Sequence, residues 1–142
     1  MSARAKAIRQ SIKRNSDQAK RLSKQAGDLR KQRKRASDRI GQQIESVTSS
    51  AHGLRERKKR ESLSSARQIE RASSASRKKQ LREARKRNNG SYRPRIESLM
   101  DNARGYRRAR KRNNDSYRRR IEGLMDKCRS LRDKNRRLRE SI

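Results

Sequence analysis

An all-α, extended and non-globular fold follows from three features of this sequence. Arg, Lys, Gln, Glu, Ala and Leu, which lose little rotamer freedom in a helix, dominate it. Helix breakers are few, with one Pro and six Gly in 142 residues. Apolar side chains recur at steps of three and four, the period of a helix face. Only 27% of residues are hydrophobic, Phe and Trp are absent, and the net charge is +31. Apolar burial on that scale does not offset the entropy of ordering the chain, so the isolated protein is expected to be partly disordered until a second copy or a polyanion joins it.

Residues 1–54 read as a basic, coiled-coil-like helix. One set of seven-residue positions carries Ala5, Ile12, Ala19, Ala26, Arg33, Ile40, Val47 and Leu54. The set three residues later carries Ile8, Asn15, Leu22, Leu29, Ala36, Gln43 and Ser50. Together they predict a seam over 5–54 through which a homo-oligomer would form, with Asn15, Arg33 and Gln43 as polar positions that fix register. Met1 to Arg14 is basic, acid-free and amphipathic, as presequences are, but the same composition continues beyond it.

Residues 55–81 form a basic, Ser-rich hinge or weak helix, with Ser62, Ser64, Ser65, Ser73, Ser74 and Ser76. His52-Gly53 just upstream is the expected break, because Gly costs about 1 kcal/mol relative to Ala in a helix interior.

Residues 82–142 form a tandem-repeat region. Residues 84–101 read ARKRNNGSYRPRIESLMD and 109–126 read ARKRNNDSYRRRIEGLMD, identical at 15 of 18 positions with an offset of 25. Duplication explains the match. The Asn88-Asn89-Gly90-Ser91 and Asn113-Asn114-Asp115-Ser116 segments resemble helix punctuation followed by a cap. They predict two short helices starting near Tyr92 and Tyr117, with Pro94 in a first turn where its missing N–H is harmless. Each carries an apolar stripe: Tyr92, Ile96, Leu99, Ala103 and Tyr106 in one, and Tyr117, Ile121, Leu124, Cys128, Leu131, Leu138 and Ile142 in the other. Three partners fit these stripes: each other, the N-terminal helix, or a second chain.

Charge supplies the functional reading. There are 32 Arg and 14 Lys against 15 acids. An imbalance this large repels itself unless counterions or a polyanion neutralise it, and the Arg bias suits bidentate phosphate contacts. The candidate nucleic-acid contacts are Lys31, Arg33, Lys34 and Arg35; Arg55, Arg57, Lys58, Lys59 and Arg60; Arg77, Lys78 and Lys79; and Arg85, Lys86 and Arg87. Arg107, Arg108, Arg110, Lys111 and Arg112, then Arg118, Arg119 and Arg120, complete the set. Residues 55–112 hold a net +16, against +10 for 1–54 and +5 for 113–142, so the strongest contact is expected in the middle. Such contacts position a backbone, DNA or RNA, without specifying its sequence. Tyr92 and Tyr117 lie beside cations and amides, the vocabulary of base stacking, but they open apolar stripes, where packing is the commoner role.

Other function classes find little support. His52 and Cys128 are the single residues of their kinds, so no metal site of recognised spacing, no cofactor motif and no catalytic constellation is expected. One cysteine allows no intrachain disulfide, which favours an intracellular setting or a virion interior. No apolar run spans a bilayer, so no integral membrane segment is expected. The alternatives are an assembly protein whose basic helices bind an acidic protein partner, and a peripheral protein on an anionic membrane surface. Arg55–Arg60 matches a nuclear-localisation cluster, and Arg71-Ala72-Ser73-Ser74 a basophilic kinase site.

Overall fold

The computed structural model describes residues 2–142. Two α-helices account for nearly all of them, α1 over Ala3–Arg71 and α2 over Ala75–Glu140. A serine caps each. The Ser2 hydroxyl accepts from the Ala5 amide at 3.1 Å, and the Ser74 hydroxyl from the Arg77 amide at 3.1 Å. Each cap satisfies one of the amides that a helix start leaves without an internal partner. Between the helices lie only Ala72, Ser73 and Ser74. The break therefore falls inside the Ser-rich stretch, while α1 continues through His52-Gly53.

The chain divides into two units, each built from one piece of each helix. Unit 1 joins residues 1–38 to 110–142, and unit 2 is residues 39–109. Within unit 1 the pieces run antiparallel: the Asn135 amide donates to the Ile12 carbonyl, the Cys128 thiol to the Ala19 carbonyl, and Arg110 to Ser37. Its core is Ala26, Leu29 and Ile121, with Tyr117, Leu124 and Met125 packed against them. Within unit 2, Ala51, Tyr92 and Ala103 are buried. Ser62 meets Arg85, and Glu61 meets Tyr92. The positions with no exposure at all, Ala26, Ala51, Ala103 and Cys128, carry small side chains. Such positions bury little area, so the apolar driving force, about 25 cal/mol per Å², is modest in both units.

Besides the break expected at His52-Gly53, two further expectations need correction. The short helices starting near Tyr92 and Tyr117 do not form, because α2 runs unbroken through both Asn-Asn segments and through Pro94. In the first segment the asparagines make tertiary contacts instead. The Asn88 amide donates to Glu61 Oε2 at 2.8 Å, and the Asn89 amide to Ser62 Oγ at 3.4 Å. Ser91 does not cap; its hydroxyl donates back to the Asn88 carbonyl at 2.7 Å. Packing across the helix pair overrides local propensity here.

The second correction concerns the seam of α1. Arg33, Gln43 and Ser50 are exposed, and between Ala36 and Leu54 the covered apolar side chains are Ile40, Ile44, Val47, Ala51 and Leu54. Two successive steps of four, from 36 to 40 to 44, shift the covered face by one residue. A strict seven-residue repeat drifts about 20° per heptad against a straight helix, and an inserted step of four restores the face. The covered face of α1 packs on α2 within each unit, as do the C-terminal stripes on α1 except for Ile142, which lies beyond α2 and is exposed.

Candidate nucleic-acid interface

On α1 in unit 1, Lys31, Arg33, Lys34 and Arg35 are all exposed; on α2, Lys111, Arg112, Arg118, Arg119 and Arg120 are exposed as well. In unit 2 the exposed candidates are Arg55, Arg57, Lys59, Arg60, Arg77, Lys79, Lys86, Arg87, Arg107 and Arg108. Lys58, Lys78, Arg85 and Arg110 are half-buried. The candidates thus divide between the two units.

Arg85 and Arg110 differ from the rest. Arg85 reaches across its unit and donates from Nε and Nη2 to Ser62 Oγ at 3.1 and 2.9 Å. Arg110 does the same through Nε to Ser37 Oγ at 2.8 Å. These guanidinium groups hold α2 to α1 at a fixed level. From the sequence both look like phosphate contacts, because their cross-helix serines are not their sequence neighbours.

Acidic residues offset little of the charge. Arg57 pairs with Glu61, Arg93 with Glu97, Arg104 with Asp101, Arg129 with Asp126 and Arg136 with Asp133. Arg118 lies between Asp115 at 3.7 Å and Glu122 at 3.9 Å. Every pair lies along a single helix at i,i+3 or i,i+4 spacing with its arginine exposed, a class worth about 0–1 kcal/mol. Among the described residues none joins α1 to α2, and no lysine takes part.

Glu61 is the one acid with a larger role. Its carboxylate accepts from the Asn88 amide, the Tyr92 hydroxyl and Arg57. The hydrogen bonds from Asn88 and Tyr92 hold its pKa below the ordinary carboxylate value, and the same carboxylate pushes the Tyr92 phenol upward. Tyr92 is 3% exposed, with the Arg95 guanidinium 5.5 Å above its ring. Tyr117 packs on the unit 1 core, with Arg120 at 5.7 Å. Packing is therefore the role of both tyrosines in this structure. Glu61 and Ser62 were not candidates from the sequence; their tertiary role has no local signature beyond recurrence of Lys-Arg-x-Ser at 34–37 and 59–62.

No group of His, Cys, Asp and Glu among the described residues is arranged to hold a metal ion, and no described helix is long and apolar enough to cross a membrane. Comparison with known protein families, with curated proteins and with solved structures gives no match.

Proposed function

We propose that this chain is a non-enzymatic protein that binds nucleic acid through the phosphate backbone, with little sequence preference, in packaging, condensation or ribonucleoprotein assembly. One observation carries the reading. Of 46 basic residues only six, all arginines, have an ion-pair partner among the described residues. Folding therefore leaves the excess charge on the surface, spread over both helices. Polyanions with a regular phosphate spacing match such a display, and binding releases their condensed counterions.

The test is a mobility-shift series over salt concentration with duplexes of unrelated sequence. Between 50 and 200 mM salt a protein making 6–10 phosphate contacts loses about 10³–10⁵ in affinity, whatever the sequence. Salt-insensitive binding, or strong preference for one sequence, would overturn the proposal. So would a bound acidic protein that excess nucleic acid fails to displace.

A further inference from the structure

The Ser–Arg bond occurs once in each unit, and its partners are related by the same step. Ser37 and Ser62 lie 25 residues apart on α1, and Arg85 and Arg110 lie 25 apart on α2. The step also relates Lys34-Arg35 to Lys59-Arg60 and Lys86-Arg87 to Lys111-Arg112. The duplication seen in α2 thus has a fainter counterpart in α1. Further equivalences support it: Ala26 and Ala51 are both fully buried, as are Ala103 and Cys128. The amide oxygens of Asn89 and Asn114 are both buried without a partner. A shallow groove beside Leu29 and Leu124 in unit 1 recurs beside Leu54 and Leu99 in unit 2.

Within each unit the helices are antiparallel, so the residues one turn before the serine on α1 stand level with those just after the arginine on α2. The Ser–Arg bond sets that level. It brings Lys34 and Arg35 level with Lys111 and Arg112 in unit 1, and Lys59 and Arg60 level with Lys86 and Arg87 in unit 2. All eight are exposed, and none belongs to an ion pair. We infer that these are two equivalent phosphate-contact clusters, one in each unit, and that they contribute equally to binding. The inference rests on the nucleic-acid reading and goes beyond it, because the charge distribution along the sequence alone favours the middle of the chain.

Substitution of one cluster at a time tests it, with a random-sequence DNA duplex as probe. One variant carries Lys34→Gln, Arg35→Gln, Lys111→Gln and Arg112→Gln; the other carries Lys59→Gln, Arg60→Gln, Lys86→Gln and Arg87→Gln. A control carries Arg9→Gln, Lys13→Gln, Lys20→Gln and Arg139→Gln, four exposed cations outside the clusters. Each cluster variant should reduce the log–log salt slope by the same amount, up to about 3–4. The control should reduce it less. A control as damaging as the cluster variants, or one cluster accounting for nearly all the loss, overturns the inference while leaving the nucleic-acid reading intact. Wild-type protein whose binding ignores salt overturns both. Circular dichroism verifies folding, and a quadruple variant that loses helicity is replaced by the pair Lys34→Gln/Lys111→Gln or Lys59→Gln/Lys86→Gln.

Discussion

Units 1 and 2 share the Ser–Arg bond and a pair of buried small residues, and they differ at the position of Glu61. Glu61 in unit 2 accepts hydrogen bonds from Asn88 and Tyr92, whereas the corresponding residue of unit 1 is Ala36, which offers Asn113 and Tyr117 no carboxylate. Tyr92 is buried and Tyr117 only half-buried. Unit 1 compensates with apolar contact. Leu29 and Ile121 are each 8% exposed there, while their counterparts Leu54 and Ile96 are half-buried. One architecture is therefore stabilised by a polar cluster in one unit and by closer apolar packing in the other.

Removing apolar volume should break that comparison most sharply. Ile121→Ala in unit 1 is expected to cost about 2–5 kcal/mol, the range for emptying a buried aliphatic site. Ile96→Ala should cost less, since its side chain is less covered. Hydrogen exchange resolved by residue, with denaturant titration, reads both; equal losses would show that burial does not separate the units.

Exchanging the residues at 61 and 36 sharpens the contrast. Glu61→Ala should weaken protection around Tyr92 by leaving its hydroxyl and the Asn88 amide without their acceptor. Ala36→Glu should strengthen protection around Tyr117. An Ala36→Glu variant with unchanged exchange would mean that the position-36 side chain does not reach Tyr117.

Acid titration separates the units next. The Glu61 carboxyl has a folded pKa below its unfolded one, so its contribution is complete above the unfolded value of about 4.3 and disappears as pH falls through the folded pKa. Unit 2 should lose protection around Glu61, Asn88 and Tyr92 over that window, and Glu61→Gln should abolish the dependence. At the alkaline end the sign reverses. The raised Tyr92 phenol contributes below its unfolded value of about 10, and that contribution disappears as pH rises through the folded pKa.

The smallest effect is expected at the equivalent surface pairs. Arg93→Gln and Arg118→Gln should each change stability by about 0–0.5 kcal/mol, because i,i+4 pairs in water are weak. A larger loss at either would reveal a role beyond the pair.

Much of this organisation is legible in the sequence. The helical class follows from composition, the C-terminal stripes from their spacing, and the duplicated segments from identity. Helix continuity is not legible, because Asn88 and Asn89 are poor helix residues unless Glu61 and Ser62 face them. The covered face of α1 beyond Ala36 is not legible either, because a strict seven-residue grid does not allow the extra step of four that covers Ile44 and Ala51 rather than Gln43 and Ser50. Arg85 and Arg110 looked like free cations for a similar reason: the serines that hold them lie 23 and 73 residues away.

Absorbance of the purified protein at 260 nm, first in low and then in high salt, shows whether the chain carries nucleic acid held by charge. With no Trp and three Tyr the chain absorbs little itself, so carried nucleic acid stands out. Phosphate-backbone binding predicts a strong nucleic-acid signal at low salt that is stripped at high salt. A protein that emerges from low salt free of nucleic acid, fully helical and soluble, would contradict it.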